Sequence, residues 1–291
     1  MDSEFLVVES MSHSSPSVSP VSGDTQRRSP PVNAARAVAD PAAKAPPREA
    51  IIGLHQVTKA YPGGSLALDG VDLSVGRGDF IFITGPSGSG KSTLLKLLYG
   101  EERANAGTIT VDGYAVGELR GDRLAELRRR IGIVFQDYKL IPRRTVAENV
   151  AFSLWAQGLR RAEIQRRLGP ALKMVGLPHK ANSFPDELSG GEQQRVSIAR
   201  AIVGTPPILL ADEPTGNLDG NNSLQVIKIL QKLNGIGITV IVTTHDEALL
   251  RHFAYPVVRL VNGKLFVPQS YAQPGSTDRR DRDKTSPQTR V

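Results

Sequence analysis

Cysteine is absent from the 291 residues of the chain. Disulfide bonds and thiolate metal sites are therefore excluded, and the composition fits a reducing cytosol. No uninterrupted apolar stretch approaches the roughly 18 residues of a membrane-spanning helix, so we expect that the chain does not cross a bilayer. Acidic residues are fewer than basic ones, and the net charge of +7 permits contact with anionic lipid or nucleic acid without establishing either partner.

The apolar residues, which make up 40% of the chain, are unevenly distributed. Residues 1–50 are rich in Ser, Pro and Ala and show neither helical nor strand periodicity, so they predict a disordered extension. Residues 270–291 are polar and of mixed charge, which predicts a disordered tail. A folded domain is therefore expected over residues 51–269.

Within this domain, short apolar runs alternate with helical patterns. The alternation predicts an α/β fold in which helices cover both faces of a mainly parallel sheet. Asn262-Gly263, between the last two runs, is a two-residue hairpin signal. The predicted strands cover residues 51–57, 80–84, 132–135, 207–211, 239–243, 257–261 and 264–267.

One stretch, about residues 137–191, breaks this alternation. Helical patterns cover 146–156 and 161–174 and a further helix begins after Ser189, whereas no strand pattern is present. We interpret the stretch as a helical insertion in the domain. We expect its arginines to be mostly solvated helix faces, although their charge would suit contact with anionic lipid: Arg143, Arg144, Arg160, Arg161, Arg166 and Arg167.

A glycine-rich run after the predicted strand 80–84 fits the phosphate-binding pattern G-x-x-x-x-G-K-S/T, and the strong helix former 93–98 follows it. Backbone N–H groups of such a loop curl round a polyphosphate at the helix N-terminus. Lys91 is expected to reach the β- and γ-phosphates of a nucleotide, and the hydroxyl of Ser92 to ligand Mg²⁺. The expected binding residues are Gly85, Pro86, Ser87, Gly88, Ser89, Gly90, Lys91, Ser92 and Thr93.

Two carboxylates, Asp212 and Glu213, end the apolar run 208–211. A buried strand would deliver Asp212 beside the phosphate loop, where it can hold Mg²⁺ directly or through water. Glu213, one residue further on, would accept a proton from an attacking water.

A second candidate anion site begins at Ser189. Ser189 and Glu192 form the pattern S-x-x-E, a capping box that opens a helix, and Gly190 and Gly191 leave backbone amides uncovered there. The run L-S-G-G-E-Q-Q-R over 188–195 resembles the signature of the ATP-binding-cassette (ABC) ATPases. In that family the signature of one subunit closes over the γ-phosphate held by its twin, so the resemblance implies a homodimer that forms on ATP binding.

Further positions resemble functional residues of the same family. Gln136 resembles the glutamine that contacts Mg²⁺ and water, and His245 resembles the switch histidine. We count both residues, together with Glu213, as catalytic. Asp219, in Asn217-Leu218-Asp219, resembles the loop that crosses the dimer interface, and Tyr61 the aromatic on which adenine stacks. The resemblance covers about residues 51–269 and implies ATP and Mg²⁺ as cofactors. It also implies a P-loop NTPase core with a helical subdomain and a small N-terminal antiparallel β region.

Three strings, at 132–137, 184–191 and 211–219, narrow the resemblance within the family. The last of them resembles the branch that holds cell-division ATPases and the lipoprotein- and macrolide-export ATPases. The branch implies ATP hydrolysis coupled to an integral-membrane permease-like subunit, at the cytoplasmic face of the inner membrane. A division ATPase that controls cell-wall hydrolysis at the septum is the first hypothesis, and an exporter ATPase the alternative. Direct nucleic-acid binding is not expected, because translation types carry two cassettes and repair types insert long coiled coils between their motifs.

Overall fold

The structure is a computed structural model in which residues 49–268 are described. Residues 1–48 of the predicted extension and the whole predicted tail, 270–291, lie outside this range. The described strands are β1 (Ala50–Ala60), β2 (Leu66–Gly76), β3 (Phe80–Thr84), β4 (Ala106–Val111), β5 (Tyr114–Ala115), β6 (Ile131–Val134), β7 (Ile208–Asp212), β8 (Thr239–Thr244), β9 (Val257–Val261) and β10 (Lys264–Phe266). The described α-helices are α1 (Lys91–Leu98), α2 (Gly121–Arg129), α3 (Val146–Ala156), α4 (Arg161–Met174), α5 (Gly190–Ile202), α6 (Gly220–Gly235) and α7 (Glu247–Leu250).

The central sheet has six strands in the order β10-β9-β3-β8-β7-β6. Strands β9, β3, β8, β7 and β6 run parallel, and β10 returns antiparallel to β9. Asn262 and Gly263, which connect these two strands, both have positive φ, as a tight two-residue hairpin requires. The parallel register brings the carboxyl ends of β3, β7 and β8 to one edge of the sheet, which is where ligands bind in such folds.

A second, antiparallel sheet has the order β2-β1-β4-β5. Strand β1 continues past the predicted end at residue 57. Gln56 has a positive φ and the pairing with β2 shifts between Leu54 and Val57, so the apolar alternation restarts beyond this point. Strands β2 and β4 were not predicted from the sequence. Asp69 and Gly70 interrupt the alternation of apolar and polar residues in β2, and only two residues of β4 are buried. The expected α/β class with an antiparallel region is confirmed.

The elements of the stretch 137–191 are helical. Thr145 caps α3, and its hydroxyl accepts a hydrogen bond from the backbone N–H of Glu148, whose side chain caps Thr145 in return. Val150 and Leu154 of α3 join the same buried cluster as Phe82 of the central sheet, so these helices share the core of the domain. This packing fixes the start of α5, where the signature residues lie.

Across residues 49–268, every helix is too short or too polar to serve as a membrane span.

Candidate functional site

The glycine-rich loop between β3 and α1 depends on close backbone approaches. Gly90, which precedes α1, has φ 107°, and a Cβ atom placed on it would lie 2.3 Å from the carbonyl oxygen of Ala67. A Cβ atom on Gly85 would lie 2.1 Å from the carbonyl oxygen of Leu260. Larger residues are therefore excluded at both positions, and the loop stays tight enough to direct its N–H groups inward.

We expect Gly90→Ala to destabilise the domain by about 3 kcal/mol, because a left-handed conformation and a backbone clash are both imposed on the new side chain. The measurement is chemical unfolding in the absence of nucleotide. The matched control is Gly117→Ala, where φ is not positive and no atom lies within 4 Å of the added Cβ. An equal effect of both substitutions would contradict this explanation.

Lys91, the first residue of α1, is almost fully buried. Its Nζ donates hydrogen bonds to the carbonyl oxygens of Gly85 (2.9 Å) and Pro86 (3.1 Å) and lies 3.3 Å from Oε1 of Glu213. A buried ammonium is stable only when such partners surround it. The loop thus holds one positive charge where a polyphosphate would lie.

Asp212, at the end of β7, is fixed by two hydroxyl groups. Its Oδ1 accepts hydrogen bonds from Ser92 Oγ (3.1 Å) and Thr243 Oγ1 (2.7 Å). The Thr243 hydroxyl also accepts from the backbone N–H of Glu213, at 3.0 Å. Thr243 therefore orients both carboxylate residues from the neighbouring strand β8. No sequence motif predicts this role, because only the register between β7 and β8 places Thr243 opposite Asp212.

The oxygen donors at this point fit Mg²⁺. Ser92 and Asp212 are hydrogen-bonded to each other, and Gln136 lines the same cleft. Between residues 49 and 268 no group of three or more His, Asp or Glu side chains could enclose a metal ion. The hydroxyl, carboxylate and amide oxygens of Ser92, Asp212 and Gln136 suit Mg²⁺, which keeps several waters and is completed by substrate phosphates.

Glu213 connects the loop lysine with the histidine after β8. Its Oε2 lies 2.9 Å from Nδ1 of His245, and its Oε1 contacts Lys91. Glu213 itself has φ 43°, an uncommon conformation for a residue with a side chain. Strained backbone of this kind is often found at functional sites.

Lys91, Ser92, Gln136, Glu213 and His245 line one cleft of about 720 Å³, whereas Asp212 and Thr243 are not among the residues that line it. The hydroxyl of Tyr61 lies 3.3 Å from Thr93 Oγ1, and Nζ of Lys59 lies 4.8 Å from the centre of the Tyr61 ring. Ser65 and Ala67, which carry no sequence signal for this role, contribute to the wall. The lining residues are Tyr61, Ser65, Ala67, Pro86, Ser87, Gly88, Gly90, Lys91, Ser92, Thr93, Gln136, Glu213 and His245.

The signature residues 189–192 do not line this cleft. The predicted capping box is confirmed: the hydroxyl of Ser189 accepts from the backbone N–H of Glu192, and the Glu192 carboxylate accepts from that of Ser189. This second bond lowers the pKa of Glu192. Asp219 caps α6, and the backbone N–H of Asn222 lowers its pKa.

The start of α5 and the start of α6 meet each other. A Cβ atom on Gly191 would lie 2.3 Å from Oδ1 of Asn222, so glycine is required for this approach. Of the described residues that line the cleft, none belongs to 189–192 or is Asp219. One chain therefore presents a phosphate loop at one place and a separate exposed helix N-terminus at another.

Comparison with known proteins agrees with this geometry. A family model described as ABC transporter matches residues 68–216. The cell division ATP-binding protein FtsE of Streptococcus pneumoniae strain D39 is 44% identical over 228 residues, which cover 78% of this chain and 99% of that protein. The protein of the same name from Escherichia coli K12 is 47% identical over 215 residues, covering 74% and 97%.

Solved structures give the same result. The dimeric post-hydrolysis structure of the ATP-binding cassette MJ0796, bound to ADP and phosphate, has a TM-score of 0.67 and 39% identity, and the match covers 74% of this chain and 96% of that one. CbiO1 from Clostridium perfringens has a TM-score of 0.70 and 31% identity, with coverage of 76% and 88%. Together with the cleft, these matches show that the chain belongs to the ABC transporter family and supplies an ATP-hydrolysing cassette.

Proposed function

We propose that this chain is the ATPase of a membrane complex in cell division, which acts with an integral-membrane, FtsX-like permease subunit to control cell-wall hydrolysis at the septum. The observation that carries the proposal is the match to the FtsE proteins, which extends over nearly their whole length. The chain would act as a peripheral protein at the cytoplasmic face of the inner membrane.

ATP would bind in the cleft with adenine against Tyr61 and its phosphates on the loop amides. Nζ of Lys91, which now contacts two loop carbonyls and Glu213, would turn to the β- and γ-phosphates. That movement leaves Oε1 of Glu213 free to accept a proton from the attacking water. His245 lies on the other side of Glu213 and would orient the water and the γ-phosphate.

Ser92, Asp212 and Gln136 would hold Mg²⁺. When bound, the ion would supply positive charge that offsets the charge developing on the phosphates. The hydroxyl of Thr243 keeps Asp212 in place for this role.

The second half of the pocket would come from another copy of the chain. Ser189, Gly190, Gly191 and Glu192 form a helix N-terminus that does not line the cleft of its own chain. Such a terminus stabilises an anion, and the γ-phosphate of a facing subunit is the anion we assign to it. The loop at Asp219, which lies beside α5, would cross the same interface.

The partner-facing surface would be on the helical insertion. Phe152 and Trp155 of α3 are 47% and 44% exposed, and the guanidinium of Arg144 lies 6.0 Å from the Trp155 ring centre. Exposed aromatic and arginine side chains are enriched in protein interfaces. We assign this patch to the permease subunit.

The experiment is affinity purification of the tagged chain from detergent-solubilised membranes of its own cells, followed by mass spectrometry. We expect a permease-like membrane protein, and we expect the double variant Phe152→Ser/Trp155→Ser to lose it. The control is Phe266→Ser, which removes another exposed aromatic, on β10. Capture that is equal for all three proteins would contradict the docking surface.

Depletion of the chain separates division from export. The proposal expects filaments or chains of undivided cells, restored by the wild type and not by Glu213→Gln. Normal division accompanied by retention of lipoproteins in the inner membrane would overturn the division assignment in favour of an exporter.

A further inference from the structure

Helix α5 begins within the signature and contacts both catalytic loops of its own chain. Its side chains reach the loop after Gln136 at one point and the loop after Glu213 at another. These contacts lie within one polypeptide, whereas the nucleotide assigned to the start of α5 belongs to a facing copy.

The first contact is made by Arg200, near the end of α5. Its guanidinium donates to the carbonyl oxygens of Tyr138 (2.7 Å) and Lys139 (2.5 Å). Both acceptor residues have positive φ, 58° and 50°. Two successive side-chain-bearing residues in this region are strained, so the loop needs external bonds to keep this shape.

The guanidinium of Arg200 depends on these two carbonyl oxygens as its hydrogen-bond partners. Burial lowers the pKa of its guanidinium. Between residues 49 and 268 no carboxylate lies within ion-pair distance of the Arg200 guanidinium. Its N–H groups donate to backbone carbonyls instead. A partly buried cation without these acceptors would be unfavourable. The bonds therefore hold the helix and the loop to each other, two residues after Gln136.

The second contact is made by Gln194, which is fully buried. Its Nε2 donates to the carbonyl oxygen of Pro214 at 2.8 Å. Pro214 directly follows Glu213, whose own backbone has φ 43°. The amide thus holds the strained turn that presents the catalytic carboxylate.

We propose that Gln194 and Arg200 are positioning residues through which α5 sets Glu213 and Gln136 of the same chain. The two side chains are six residues apart, or about 9 Å along a rigid helix. A small displacement of α5, such as closure of its N-terminus on a γ-phosphate, therefore moves both catalytic loops together. The signature helix acts on two nucleotides: on one in the facing subunit directly, and on its own through these bonds. The inference rests on the proposed shared pocket.

The first test uses homodimers of Arg200→Lys. A single ammonium cannot reproduce the planar fork to two carbonyls, so we expect kcat for ATP to fall about tenfold while KM changes less than about twofold. Arg128→Lys is the matched control, because Arg128 also donates to two backbone carbonyls, those of Tyr99 and Gly100, which belong to neither catalytic loop. Wild-type kcat, or an equal loss in the control, would overturn the proposal.

The second test uses Gln194→Met, which separates a positioning role from a loss of folding. It keeps the volume and removes both the donor to Pro214 and a buried Oε1 that has no partner in the described part of the chain. We expect an unchanged melting temperature with kcat lowered about tenfold, since the amide bond only positions the loop. Full activity would overturn the role of Gln194.

Heterodimers of differently tagged chains test the direction of the effect. One chain carries Lys91→Ala, so only the other phosphate loop is intact. Arg200→Lys on the chain with the intact loop should lower turnover about tenfold, and the same change on the Lys91→Ala chain less than about twofold. The reverse pattern would overturn the proposal. Absence of turnover in the heterodimer without Arg200→Lys would count against the shared pocket, and the homodimer kcat values would still decide the inference.

Discussion

Glu213→Gln is expected to lower ATP turnover by at least about 100-fold, because the amide cannot accept a proton from the attacking water. The substitution keeps the shape of the side chain, so its contacts to Lys91 and His245 lose charge but not geometry. ATP binding should persist. With hydrolysis blocked, the ATP-bound dimer should accumulate, because nothing reopens it.

Phosphate release measures the turnover, and light scattering after size exclusion with ATP measures the dimer. The control is Glu247→Gln, the same chemical change at an exposed carboxylate that pairs with Arg259. Wild-type turnover in Glu213→Gln, or the same loss in the control, would remove Glu213 from the chemical step.

Lys91→Ala is expected to weaken ATP binding about 10- to 100-fold, since one charge-assisted bond to the phosphates contributes roughly 1.5–3 kcal/mol. The side chain is nearly fully buried and its ammonium is already held at the loop. Its loss therefore removes a fixed positive charge that no neighbouring side chain of the loop can replace.

Titration calorimetry with ATP and Mg²⁺ gives the affinity. Lys96→Ala is the control on the same helix, because Lys96 is a partly exposed residue that pairs with Glu101. Equal affinity of Lys91→Ala and the wild type would show that the ammonium does not bind phosphate.

The sequence predicted those parts of the fold whose signal is local. The loop at 85–92 and the strands of the central sheet have continuous patterns, and the structure has strands within a residue or two of each expected position. Strands β2 and β4 were not predicted, because glycine, bulges and shallow burial break the period. Their pairing is stabilised by contacts between distant segments, which a local pattern does not contain.

The candidate site was likewise predictable from the sequence only in part. Most residues of the cleft could be proposed from motifs, and Lys91, Ser92 and Glu213 meet there, whereas Ser65 and Ala67 could not be. Thr243 could not, since its role follows from the register between β7 and β8. Arg200 and Gln194 could not either, because their partners are backbone carbonyls of strained loops that only the folded chain brings within reach.

The shared pocket can be tested by mixing two inactive variants. Lys91→Ala disables the phosphate loop. Ser189→Asp retains a good helix cap at α5 but places a negative charge where the γ-phosphate of the facing subunit would lie. Each variant alone should hydrolyse ATP negligibly. In an equal mixture, heterodimers contain one intact pocket, so turnover should recover to about a quarter of the wild-type rate. No recovery in the mixture, or wild-type turnover by either variant alone, would show that two copies do not jointly enclose the triphosphate.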